Sequence, residues 1–155
     1  MKPLLVGEAN PYGSDPEFAL YPSPPGCAGD RLCRLVMGLD PDDYLARFDR
    51  MNLCPRAWSM RDARARAYAI RKECRTTPTI LLGSKVCAAF EIDFKPFALV
   101  GDRANVRERS IIELETRRVP VYVVLPHPSG LSRSWHESGA YDRARAALRE
   151  AGVLT

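Results

Sequence analysis

Residues 119–130 read Val-Pro-Val-Tyr-Val-Val-Leu-Pro-His-Pro-Ser-Gly and contain the most apolar run of the chain. A continuous apolar run that stops at proline and glycine is typical of a strand covered by helices on both faces, as in a parallel sheet. Three other runs stop in a similar way. We therefore predict four strands, over residues 3–6, 48–53, 79–82 and 119–125.

Helical patterns lie between these runs. Apolar side chains at Met60, Ala63, Ala67, Ile70 and Cys74 repeat at spacings of three and four, which predicts an amphipathic helix with arginines on its other faces. Further helices are predicted over 30–39, with an aspartate N-cap, over 84–90 and over 141–151. The alternation of strands and helices predicts an α/β fold, a three-layer α/β/α sandwich around a four-stranded, mostly parallel sheet.

One segment and one loop depart from this alternation. Residues 95–118 fit either a helix from about residue 105 or a loop followed by a short strand at 111–114. The proline-rich stretch 21–26 is expected to be a stiff loop, because its prolines cannot continue a helix. Neither segment changes the predicted fold class.

The composition limits the class of protein. The chain has 155 residues, of which 46% are hydrophobic, enough for one domain over 1–155. It has no signal-like leader and no apolar stretch of membrane-spanning length, so we expect a cytoplasmic monomer with no membrane partner. Five cysteines without a C-x-x-C pair do not form a zinc or disulfide pattern, and we predict no metal and no cofactor. A net charge of +4 leans mildly towards a polyanionic partner.

Polar residues follow the predicted strands. In open parallel sheets ligands bind beyond the carboxyl ends of the strands, because loops from different crossovers converge there. The segments at these ends are 8–12, 52–55, 83–84 and 127–132. They are therefore the candidate site.

Two of these segments carry recognisable motifs. His127-Pro128-Ser129-Gly130-Leu131-Ser132-Arg133 resembles the H-P-S-x-L-S loop of the uracil-DNA glycosylase superfamily. Asn10-Pro11-Tyr12 is similar to the D-P-Y loop of its uracil-specific branch, with the asparagine found in the mismatch-specific and single-strand-selective branches. The resemblance covers nearly the whole chain in order and includes Phe18 and Asn52.

The resemblance implies a monofunctional DNA glycosylase that acts in base excision repair. Such an enzyme flips uracil, or a related deaminated or modified base, out of DNA and hydrolyses its N-glycosidic bond. It implies that Phe18 stacks on the base, Asn52 reads the base edge and Tyr12 excludes thymine. His127 would donate a hydrogen bond to the departing base.

The remaining roles rest on the two loops. Ser129, Gly130, Leu131, Ser132 and Arg133 are predicted to bind DNA, with Leu131 filling the gap left by the extruded nucleotide. The first loop has one residue more than the family's G-x-N-P, so either Glu8 or Asn10 could activate the water.

Two departures from the family pattern are visible. The altered first loop leaves open a second interpretation, a glycosylase-fold protein that binds nucleic acid or a modified base with little or no cleavage. Some relatives hold an iron–sulfur cluster through four cysteines, whereas only Cys54 and Cys74 resemble that set here. No cluster is therefore expected.

Overall fold

A computed structural model of the protein describes residues 1–10, 13–73, 77–101 and 121–155. Five strands of this part of the chain form one sheet in the order β2-β1-β3-β5-β4. The strands are β1 (Leu4–Ala9), β2 (Asp49–Cys54), β3 (Thr79–Leu82), β4 (Leu99–Gly101) and β5 (Val121–Leu125). Strands β2, β1, β3 and β5 run parallel, and β4 pairs antiparallel with β5.

Five helices surround the sheet in the described part of the chain. In α1, a first turn (Ala28–Asp30) continues as wider π-helical turns (Arg31–Met37). The others are α2 (Pro41–Arg47), α3 (Met60–Glu73), α4 (Ser84–Ala89) and α5 (Ala140–Glu150). Two short 3-10 turns, Pro16–Phe18 and Arg133–His136, lie in the loops after β1 and β5.

The helices cover both faces of the sheet, which confirms the three-layer α/β/α arrangement. Alternate residues of each strand point to opposite faces. On β1, Leu5 packs in a cluster with residues of α1, α2 and α5, whereas Leu4 and Val6 pack with residues of α3 and α4. The interior strands are apolar on both faces for this reason.

The predicted number of strands was wrong. The sheet has five strands rather than four, because β4 adds an antiparallel edge strand beside β5. This strand is only three residues long and its side chains are half-buried or exposed, so it lacks the apolar run that marks the other strands. The alternatives proposed for residues 105–118 lie outside the described residues.

Several element boundaries also differ from the prediction. β1 extends to Ala9, so Glu8 lies within the strand. α1 begins earlier than predicted, because the thiol of Cys27, rather than Asp30, caps its first turn. Helix α2 was not predicted, although it has an Asp40 N-cap followed by proline and two aspartates. Among the described residues, none of the helices has the length and apolar character needed to cross a bilayer.

Candidate active site

A cavity of about 770 Å³ opens at the carboxyl edge of the sheet. Its walls come from the ends of β1 and β2, from the loop after β5 and from the segment 13–29. The cavity brings together seven residues that were predicted as site residues from the sequence: Glu8, Asn10, Phe18, Asn52, His127, Ser129 and Gly130.

Three predicted residues lie elsewhere. Leu131, Ser132 and Arg133 do not line the cavity. Leu131 is 91% exposed at the tip of the loop that follows β5, and Arg133 is exposed at the start of the second 3-10 turn. Tyr12 lies outside the described residues.

His127 has a defined tautomer. The backbone N–H of Ser129 donates a hydrogen bond of 3.2 Å to its Nδ1, so in the neutral ring the proton sits on Nε2. Burial lowers the pKa of His127, and the nearby Lys85 ammonium lowers it further, while Glu8 opposes both. The neutral ring is therefore favoured, and its Nε2–H has no hydrogen-bond partner among the described residues.

Glu8 and His127 approach each other across the end of β3. A Cβ atom at Gly83 would lie 3.2 Å from His127 Cβ and 3.3 Å from Glu8 Oε1, so both side chains occupy space that only a glycine leaves open. Gly83 also has a φ of +97°, a conformation that other residues rarely adopt. On its other side, the Glu8 carboxylate lies 3.7 Å from Lys85 Nζ.

The loop that carries His127 is held from two directions. The indole N–H of Trp135, which is buried, donates a 2.8 Å hydrogen bond to the His127 carbonyl. The Arg31 guanidinium of α1 donates a 3.0 Å hydrogen bond to the Pro128 carbonyl. Both contacts hold the backbone that directly follows the His127 Cα, so the ring is positioned before any ligand binds.

Asn52 lies beside Gly7 in the paired strands β1 and β2. A Cβ atom at Gly7 would overlap Asn52 Oδ1, so the absence of a side chain there makes room for the amide. Leu20 packs over the same position. The Asn52 amide thus reaches the cavity with one acceptor and two donor hydrogens.

Phe18 forms an aromatic wall of the cavity. Its ring packs edge-on against Tyr21 at a centroid distance of 5.6 Å, and the Arg50 guanidinium lies over the Tyr21 ring. Phe18 remains 52% exposed although it lines the cavity, which leaves ring surface open to a planar ligand.

Asn10 is the other polar residue that follows β1. It is 7% exposed and lies in the wall that the cavity shares with a neighbouring groove of about 550 Å³. Because Asn10 is buried in this wall, its side chain is suited to positioning a ligand or a water molecule.

The arrangement combines three chemical capabilities in one open cavity. It offers a neutral imidazole donor, an amide that can read a hydrogen-bonding edge and an aromatic surface. No model of a known protein family matches the chain, and no curated protein matches it in sequence. In the described ranges, no three His, Cys, Asp or Glu side chains converge as a metal site requires.

Sequence reasoning missed several residues that shape this site. Lys85 follows β3 and pairs with Glu8, Tyr21 supports Phe18, and Gly29 brings α1 against the cavity wall. Gly83 lay in a strand-end segment, but its role as the space between Glu8 and His127 depends on the strand order. No sequence signal distinguishes Lys85 from the other exposed lysines.

Proposed function

We propose that the protein is a DNA glycosylase that hydrolyses the N-glycosidic bond of uracil or a related deaminated or modified base. The observation that carries the proposal is the meeting of His127, Asn52 and Phe18 in a single cavity at the carboxyl edge of the sheet. The motif resemblance of the two loops supports the same reaction.

The cavity suits recognition of a flipped base. A base in a duplex hides its glycosidic bond, so the nucleotide must leave the stack before cleavage. In the cavity, the Phe18 ring would stack on one face of the base, and the Asn52 amide would pair with adjacent donor and acceptor groups on its edge. The exposed Leu131 would fill the vacated position in the stack.

His127 would stabilise the departing base. Cleavage of the glycosidic bond leaves negative charge on the base, and a fixed donor beside its carbonyl lowers the barrier. The Nε2–H of neutral His127 is such a donor, held in place by the Ser129 N–H on Nδ1 and by the Trp135 hydrogen bond to its carbonyl. The donor requires no reorganisation during the reaction.

Glu8 and Asn10 would handle the attacking water. Glu8 is the stronger proton acceptor of the two, because a carboxylate is far more basic than the Asn10 amide. Its carboxylate lies near His127 and 3.7 Å from Lys85 Nζ. The Asn10 side chain would orient the water from the buried end of the first loop. A sugar with cationic character requires only a weak nucleophile, so these two roles suffice.

An oligonucleotide assay tests the proposal. The protein is incubated with single-stranded and duplex oligonucleotides that contain uracil, hypoxanthine or hydroxymethyluracil, and abasic sites are then cleaved with alkali. We expect strand breaks with at least one of these bases and a strongly reduced yield for Asn52→Ala. Binding of these oligonucleotides without any strand break would instead favour a base-binding protein that does not cleave.

The pH dependence of base release gives a second test, centred on Lys85. Because the pKa of His127 is below the ordinary imidazole value of about 6.5, the ring is neutral at pH 7. We expect the single-turnover rate to be level near neutral pH and to fall only on acidification below that value. Protonation adds a hydrogen on Nδ1, which breaks the bond from Ser129 N–H.

Removal of the Lys85 charge should change the pH at which the rate falls on acidification, which we call the acid limb of the pH–rate profile. The ammonium lowers the pKa of His127, so Lys85→Gln raises it and shifts the acid limb to higher pH. The shift should shrink as salt is added, because Lys85 is largely exposed. Lys85→Arg is the matched control and should keep the wild-type profile. Identical pH–rate profiles for Lys85→Gln and the wild type at low salt would show that the Lys85 charge does not affect the protonation of His127.

A further inference from the structure

The outward face of α3 carries a stripe of cations around one exposed tyrosine. Arg61, Arg64, Tyr68 and Lys72 follow one another at spacings of three, four and four, so they share one side of the helix. This side lies opposite the buried stripe Ala63, Ala67 and Ile70. All four side chains are exposed, and the stripe is about 17 Å long at 1.5 Å per residue.

No carboxylate in the described part of the chain forms an ion pair with a cation of this stripe. Neither Arg61 nor Arg64 has an ion-pair partner among the described residues. The two carboxylates of the helix, Asp62 and Glu73, are eleven residues apart and therefore share a different side. Asp62 faces the groove beside β2. The stripe thus keeps its positive charge, which favours a polyanionic partner.

Tyr68 places an exposed aromatic ring among these cations, which a helix face that contacts only water does not require. It is 61% exposed, and the Lys72 ammonium lies 4.5 Å from its ring centroid. Because the Lys72 ammonium lies over one face of the Tyr68 ring, the other face is left for a stacked base. An exposed aromatic ring between cations is the arrangement with which proteins stack a base and bind its phosphates. Only a single strand exposes base faces, since a duplex hides them.

Helix α3, which carries this surface, lies near the cavity. α3 starts shortly after the carboxyl end of β2, at the same edge of the sheet as the cavity. The groove beside β2 is lined by Asn10 and Asn52, which also line the cavity, and by Asp62 and Arg66 of α3. α3 therefore borders the groove next to the cavity, while the stripe lies on a neighbouring side of the same helix.

We propose that the face formed by Arg61, Arg64, Tyr68 and Lys72 binds single-stranded DNA. The backbone phosphates would contact the cations, and a base would stack on Tyr68. The choice of DNA as the nucleic acid rests on the proposed function, whereas the charge and the exposed ring do not. This surface extends the contacts of the protein beyond the loop after β5.

The test measures binding of a labelled, thymine-only single strand of about 12 nucleotides by fluorescence anisotropy at several salt concentrations. We expect Tyr68→Ala to weaken binding roughly tenfold and Tyr68→Phe to retain it, because stacking needs the ring and not the hydroxyl. The pair Arg61→Gln/Arg64→Gln should lower the salt slope by about 1.4, or about 0.7 for each lost phosphate contact.

A matched control removes the same charge elsewhere. Lys2 and Lys95 are exposed and lie outside α3, so Lys2→Gln/Lys95→Gln should leave the salt slope nearly unchanged. An equal loss in this control, or no loss with Tyr68→Ala, would overturn the proposed surface. An adenine-only RNA strand, or vesicles of anionic lipid, bound as tightly as the DNA and with the same dependence on Tyr68 would overturn the assignment to DNA.

The outcome separates this surface from the glycosylase proposal. The thymine-only strand contains no deaminated base, so binding to it does not depend on base release. Binding that depends on Tyr68 in a protein that releases no base would refute the glycosylase proposal alone. If the protein releases uracil but binds the thymine-only strand equally well without Tyr68 or the two arginines, the proposal for the α3 surface alone is refuted.

Discussion

Replacement of His127 by alanine is expected to slow base release about 10²–10³-fold, the usual cost of removing a fixed donor from developing negative charge. The fold should survive, because Trp135 donates to the His127 carbonyl, which the variant keeps. Loss of the Nδ1 acceptor leaves the Ser129 N–H to water in the open cavity, so the cost in stability should not exceed about 1 kcal/mol. Single-turnover rates on the best substrate provide the measurement.

His136 provides the matched control for this prediction. It is the other histidine of the chain and is exposed, with Nε2 3.2 Å from the Gly130 carbonyl. We expect His136→Ala to change the rate by less than a few-fold. His127→Asn keeps an N–H donor and should retain part of the activity. Wild-type rates in His127→Ala would show that the departing base is stabilised by another group.

Replacement of Gly29 by alanine should have the largest effect on stability. A Cβ atom there would overlap the carbonyl oxygens of Leu20 and Tyr21, which are backbone atoms and cannot rotate away. We expect a loss of about 3 kcal/mol, at the upper end of the range for overpacked sites. That is a large part of the total stability of a small domain. Urea unfolding followed by circular dichroism measures the change.

The same substitution should also damage the site in molecules that remain folded. Displacement of α1 would carry Arg31 away from the Pro128 carbonyl and so loosen the loop around His127. For stability, Gly130→Ala is the control, since its Cβ would meet only the Arg31 side chain, at an ordinary 3.7 Å. Equal stability of Gly29→Ala and wild type would mean that α1 can shift away from the Leu20–Tyr21 backbone at little cost.

The apolar runs predicted the interior of the sheet well, for a physical reason. β3 was predicted over its observed residues, Thr79–Leu82. A strand that is covered on both faces is apolar at every position, so the limits of the apolar run are also the limits of the strand. β4 has no such run, and its existence depends on pairing with β5. α2 could have been predicted, since Asp40 and Pro41 form a common helix start.

The site followed from the sequence only in part. Because ligands bind at the carboxyl ends of parallel strands, Glu8, Asn52 and His127 were predicted to lie at one edge of the sheet. All three line the same cavity there. The contacts of Gly83 with Glu8 and His127 could not be predicted, because they require the strand order β1-β3-β5. The cap of α1 depended on a cysteine thiol, a weaker hydrogen-bonding group than the Asp30 carboxylate, which instead accepts from the Gly26 N–H.

The strand order also decides how the site would come apart. Within the described sheet, β1, β3 and β5 each have a neighbouring strand on both sides, whereas β2 pairs with β1 alone. Edge strands open locally at a lower free energy than interior ones. Fraying of β2 would release Asn52 while Glu8 and His127 stay in place. If the protein is the proposed glycosylase, heating should therefore lower its selectivity between bases before it lowers its rate of cleavage.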